Sequence, residues 1–216
     1  MDASIRHVFL TKLQIEQPER YAWIHQFLAD INRREAMKNT GTDRIRALQE
    51  YLYHSACCEE DAALQQIVEK TVQQFIAEPD TNPSRFVENF SSFHEEYMRD
   101  EELKVALGAH SNTVVSLMYR RFATINRQLT AAATSPEERV FYLREFFDYS
   151  ILDPAVPDVR LLARQIIQQI VREESADICH RLYDLLSRDT QIRERLDAHA
   201  DDILSLLISA QDGVSS

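Results

Sequence analysis

Three glycines and six prolines in 216 residues are too few for the many corners of a β-sandwich or barrel, and too few for a glycine-rich phosphate loop. The sequence therefore predicts an all-helical protein. An apolar content of 44% suffices for a real core, so disorder is not expected. A net charge of −11 argues against binding to a phosphate backbone or an anionic membrane, although a local basic patch is compatible with it. Cys57 and Cys58 are adjacent and Cys179 is remote, which supplies neither an even disulfide framework nor a Cys-x-x-Cys ligand pair. They read as buried thiols in a reducing compartment. The amino-terminal segment lacks a long apolar core with a small-residue cleavage site, and no apolar run approaches eighteen residues, so a cytoplasmic location is expected.

Helix punctuation is frequent along the chain. Pro18 suits a first helical position, and Tyr21, Ile24, Phe27, Leu28 and Ile31 recur at helical spacing until Asn39, Thr40 and Gly41. Thr42 or Asp43 is expected to cap a helix with a buried stripe at Ile45, Leu48, Tyr51 and Leu52, and a third helix carries Leu64, Ile67, Val68, Val72, Phe75 and Ile76. Pro79 and Pro83 end it. Phe86, Phe90, Phe93 and Tyr97 mark a fourth helix, and Asp100 caps a short fifth closed by Gly108. Ser111 or Asn112 opens the next, and Ser135-Pro136-Glu137-Glu138 is a capping box. Asp153-Pro154 and Pro157-Asp158 break the chain before Leu162, Ile166 and Ile170, and Ser175 and Asp189 cap the last two helices before the carboxyl-terminal apolar run.

The order of these helices repeats. Ala29-Asp30-Ile31-Asn32-Arg33 matches Ala123-Thr124-Ile125-Asn126-Arg127 at an offset of 94 residues. At 95, Arg44-Ile45, Leu48, Glu50-Tyr51-Leu52 and Ser55 fall on Arg139-Val140, Leu143, Glu145-Phe146-Phe147 and Ser150, and residues 71–78 fall on 166–173. After a six-residue shortening, Arg99-Asp100, Leu103, Leu107 and Ala109-His110 fall on Arg188-Asp189, Ile192, Leu196 and Ala198-His199. Helical periodicity dictates shared apolar positions but not shared Asn-Arg, Gln-Gln, Arg-Asp and Ala-His pairs, so the reading is a tandem duplication. It predicts two related helical bundles of about 95 residues each, stacked into a short rod of about ten helices: residues 1–110, including an amino-terminal helix over 3–16, and residues 111–216.

No constellation points to catalysis. Di-iron bundles need Glu-x-x-His on two helices, which is absent here, and His94-Glu95-Glu96 are neighbours that point about 100° apart. His110 and His199 occupy matching positions near helix ends, where a histidine is expected to satisfy free carbonyls and the helix dipole. Glycines at 41, 108 and 213 cannot build a nucleophile elbow. His54 with Cys57 or Cys58 is better read as core than as a base and nucleophile.

The expectation is accordingly a protein that is not an enzyme, with no cofactor and no metal, acting as a protein-protein interaction module: an adaptor, regulator or secretion-linked gatekeeper. Its candidate partner-binding residues are the basic group Arg33, Arg34, Arg120, Arg121 and Arg127, and the apolar Leu204, Leu206, Leu207 and Ile208 of the carboxyl-terminal helix, the latter as a homodimer or partner surface. On a helical wheel, Ile203, Leu204, Leu206, Leu207 and Ile208 spread apolar side chains over roughly 200° of arc, more than a terminal helix needs. The aromatic group Phe141, Tyr142, Phe146, Phe147 and Tyr149 covers more than one helix face and is read as part core, part docking surface. The alternative is a helical small-molecule sensor or enzyme with an apolar pocket between the bundles.

Overall fold

The computed structural model describes residues 3–77 and 92–209. Among them there is no strand, and no helix is long and apolar enough to cross a membrane. The chain divides into two compact units, Met1–Val114 and Val115–Ser216, with the division four residues beyond the position expected from sequence and inside a helix.

Unit 1 begins with α1 (Ala3–Glu16) and α2 (Pro18–Lys38), which opens on its proline. Only Asn39 and Thr40 separate α2 from α3 (Gly41–Cys58), so the two helices form a tight antiparallel hairpin. The cap differs from the expected Thr42 or Asp43. Thr40 is the N-cap without a side-chain bond, and Gly41 enters the helix at φ 59°, a left-handed step that glycine takes without strain. Next come α4 (Asp61–Ala77), a helical run α5 at 92–99, and α6 (Glu101–Leu107). Helices α4 and α6 pack on α3, and Ile45, Leu52, Val68, Tyr97, Leu103 and Leu107 are buried. Phe86, Phe90 and the Pro79–Pro83 break lie outside the described residues.

Helix α7 (His110–Ala132) starts one residue before the expected Ser111 and carries the chain into unit 2. The capping box of α8 (Pro136–Leu152) forms as its sequence specifies: the Ser135 hydroxyl accepts from the Glu138 amide and Glu138 reaches back to the Ser135 amide. Asp158 caps α9 (Val159–Glu173), and α10 (Ala176–Leu186) follows Ser175, which caps by position but not by a side-chain bond. Then come α11 (Thr190–Leu196), a 3-10 turn (Asp197–His199), α12 (Ala200–Leu204) and α13 (Leu206–Ser209). One continuous core joins α8 to α13 through Leu143, Phe147, Ile167, Leu182, Leu196 and Leu207. Each such side chain contributes about 1.5–3 kcal/mol by leaving water.

The same local devices recur in both units. Asp100 accepts the Leu103 amide at 2.9 Å, and Asp189 accepts the Ile192 amide at 3.2 Å. The next short helix ends in a left-handed residue each time, Gly108 at φ 54° and Asp197 at φ 52°. A cation inside that helix reaches back to the carbonyl six residues earlier: Lys104 Nζ to Met98 O at 2.7 Å, Arg193 Nη1 to Ser187 O at 3.4 Å. On α2 and α7, Asn32 and Asn126 each donate at 3.0 Å to the carbonyl four residues back. These are bonds made by the polar residues that periodicity does not dictate.

Candidate functional site

Helix α2 buries one face against α3 and leaves the other open. At about 100° per residue, Trp23, Phe27, Arg34 and Met37 fall within about 80° of arc on that open face. Trp23 is 67% and Phe27 51% exposed, and their rings stack with centroids 5.8 Å apart and planes 10° from parallel. Phe27 shares the helical spacing of Tyr21, Ile24, Leu28 and Ile31 but does not lie on the buried face. The hairpin buries His25, Ala29 and Ala36 of α2, and a spacing pattern alone cannot say which apolar positions its partner covers.

The predicted arginines do not act alike. Arg34 is exposed on the aromatic stripe. Arg33 is exposed beside Tyr51; burial pushes that phenol above its usual range, and Arg33, hydrogen-bonded to it, opposes the rise. In unit 2 the three predicted arginines include two tied down within the unit. Arg120 donates from Nε to the buried Asp153 at 2.8 Å, and Arg127 pairs with Glu173 while its guanidinium lies 5.5 Å from the Phe146 ring centroid. Arg121 is half-buried. The acids engaged are Asp153, the C-cap of α8, and Glu173 at the end of α9.

Unit 1 also contains a groove of about 310 Å³ between α2, α3 and α4. Arg33, Arg44 and Lys70 line it together with Met37, Tyr51 and Ile67, and none of its described lining residues is acidic. Neither Arg44 nor Lys70 stood out in the sequence. Three cations from three helices converge only once the hairpin has closed.

The carboxyl-terminal residues correct an expectation. Leu204 and Leu207 are fully buried in the unit's own core, so they hold unit 2 together and are not open to a partner; Leu206 and Ile208 are half-buried. The wheel gives the width of the apolar arc and not its cover: α12 packs on α9, and α13 packs on α9 and α10, so the unit's own helices cover Leu204 and Leu207. The predicted aromatic group likewise divides: Phe147 is core, Tyr149 packs on Tyr119 and Phe122, and Phe141 is 54% exposed.

His110 and His199 contact the beginnings of α4 and α9 instead of nearby carbonyls. His110 Nε2 lies 2.8 Å from the Asp61 carboxylate, and His199 Nε2 lies 3.1 Å from Arg160 Nη1. A buried pair was not foreseen: His25 Nδ1 and His54 Nδ1 are 2.9 Å apart, one ring donating and the other accepting. The adjacent thiols are half-buried, and burial pushes Cys57 up and Cys58 up to about 11, which disfavours the nucleophilic thiolate at neutral pH. Cys58 donates to the His54 carbonyl at 3.2 Å. Among the described residues, no three His, Cys, Asp or Glu side chains are placed to hold a metal ion.

In unit 2, Arg144 gathers three carboxylates. It pairs with Glu145, bonds Asp189 at 2.7 Å, and lies 3.8 Å from Asp148. Asp148 is raised to about 6, by burial first and by the charges of Asp189 and Glu145, against the pull of Arg144. Its buried Oδ1 has no hydrogen-bond partner among the described residues. Comparison of the chain with protein-family models, with curated proteins and with solved structures gives no match.

Proposed function

We propose that the protein is a non-enzymatic docking module, an adaptor or regulator that holds a protein partner on the open face of α2. The observation that supports this reading is the stacked Trp23–Phe27 pair, left in water although both rings are large and apolar. Tryptophan and arginine dominate the energetics of protein interfaces, and rigid aromatics bind at low entropic cost, so a stripe of Trp23, Phe27, Arg34 and Met37 suits a partner's apolar pocket with a polar rim. This moves the docking surface from the carboxyl-terminal helix to α2.

Trp23 is the one tryptophan of the chain, which makes the test direct. Affinity capture from the native host with wild type and with Trp23→Ala and Arg34→Glu should show proteins retained by the wild type and lost with both variants. Adding the captured partner should shift the Trp23 emission to shorter wavelength. Equal retention by all three proteins, with Trp23 emission unchanged, would refute the reading.

A further inference from the structure

Helices α8 and α10 pack side by side and run in one direction, and a nearly constant offset in number fixes their levels. Glu137 pairs with Arg181, 44 positions on, and Arg144 bonds Asp189, 45 positions on, at 2.7 Å. Further along, Arg195 Nε donates to the Ile151 carbonyl at 3.3 Å, again 44 positions apart. The first two contacts bracket Phe141 and Leu185, each one turn past the Glu137–Arg181 pair, so these two apolar side chains stand at the same level on adjoining faces. Both are open to solvent, Phe141 at 54% and Leu185 at 49%, and Tyr142 sets its ring edge-on to Phe141 with centroids 5.5 Å apart. An apolar residue is not what the fold asks for there. By the sequence matching, unit 1 has Arg46 where unit 2 has Phe141, and Glu96 where it has Leu185.

The charge on either side of the pair is unbalanced. On one side Arg181 meets two carboxylates, Glu137 and, at 3.1 Å, Asp177. On the other, Arg144 gathers Glu145, Asp148 and Asp189. Asp184 and Arg188, next along α10, add one charge of each sign and leave the acidic excess standing. We propose that this face of unit 2 is a second docking surface, and that it takes a basic amphipathic helix of a protein partner. The partner's apolar stripe covers Phe141 and Leu185, and its lysines or arginines meet the surplus carboxylates above and below. The internal ion pairs hold those carboxylates in place beforehand, which lowers the ordering cost of binding. A net charge of −11 draws a cationic segment in by field as well as by contact. The surface lies in the other unit from the α2 stripe and stands independently of it.

The test uses the full chain and a rhodamine-labelled octapeptide, acetyl-Leu-Lys-Lys-Leu-Leu-Lys-Lys-Leu-amide, whose leucines fall on one helix face. Fluorescence anisotropy compares it with a serine twin of equal charge. Saturable binding about tenfold tighter than that of the twin, and weakened by salt, is expected. Phe141→Arg, which installs the unit 1 residue, and Leu185→Ser should each weaken the octapeptide about tenfold, while circular dichroism and the melting temperature keep wild-type values because both positions face solvent. Equal binding of the twin, a comparison made on wild type alone, would mean that charge acts without the apolar pair and would overturn the proposal. So would wild-type affinity in both variants. Loss of the octapeptide on Trp23→Ala would put it on α2, and binding seen only in a chain ended at Ser209 would make residues 210–216 the occupant; either result sinks the proposal. Light scattering adds a last arm: a wild-type dimer that Phe141→Arg turns into a monomer would make a second copy the occupant instead. Partner capture that depends on Trp23 bears on the α2 reading alone, so the two claims fail separately.

Discussion

Unit 1 and unit 2 use the same devices on different terms. Unit 2 closes its charges inward: Arg127, Arg139 and Arg144 each meet a carboxylate within the unit, and one continuous core runs from α8 to α13. Unit 1 turns similar residues outward, with Arg33 and Lys70 on a groove and Trp23, Phe27 and Met37 in water. The two units thus differ in where their arginines and aromatic rings sit, a difference drawn by a handful of side chains beside caps and turns that recur in both.

The contrast breaks first at the aromatic rings. Phe147→Ala, in the unit 2 core, should cost about 3–5 kcal/mol, whereas Phe27→Ala on the open face of α2 should change stability by about 0.5 kcal/mol or less. Thermal denaturation of both variants measures this. A comparable loss from Phe27→Ala would mean that α2 has no free face.

The acid cluster gives unit 2 a pH signature opposite in sign to that of unit 1, where burial lowers His94 and its contribution to stability is lost as pH falls. Asp148 holds its proton more tightly folded than unfolded, so the native state takes up a proton between about pH 6 and the ordinary aspartate value, and stability should rise as pH falls through that window. Asp189 works oppositely. Burial pushes it up, but the Arg144 hydrogen bond and the amides of Ile192 and Gln191 outweigh burial and hold it below its usual range, so its contribution is lost only as pH falls below about 4. Asp148→Asn should abolish the rise, an effect on the order of 1–2 kcal/mol after allowance for solvent screening. Urea midpoints at pH 7, 5 and 3.5 for wild type and variant would check it.

Matched caps sharpen the comparison further. Asp100→Ala loses a cap and should cost about 1 kcal/mol, while Asp189→Ala also removes a partner of Arg144 and should cost toward 2 kcal/mol. Smallest of all is the exchange at the left-handed step: Gly108→Ala should destabilise by about 1 kcal/mol, and Asp197→Gly should stabilise by about 0.5 kcal/mol, strain relief being partly offset by glycine's freedom in the unfolded chain. Melting of the two single variants in parallel would show opposite signs if both sites hold the same turn.

Much of the fold was legible because caps act locally. Asp100, Ser135 and Asp189 announced their helices within three residues, and the scarcity of glycine and proline left little besides helix. The site was less so. Arg33 was singled out, but Arg44 and Lys70 join it only across three helices, and an apolar Phe27 reads the same whether its face is covered or bare. Leu204 and Leu207 misled for a related reason: a wheel gives the width of an apolar arc but cannot show that α9 and α10 cover it.

The two-residue connection between α2 and α3 carries a kinetic consequence. Loop-closure entropy grows with loop length, so Asn39 and Thr40 make this hairpin among the cheapest tertiary contacts for the chain to form. Refolding of unit 1 should therefore begin there, with Ala29 and Leu52 already packed in the transition state, and truncations at those two positions should slow folding more than they speed unfolding.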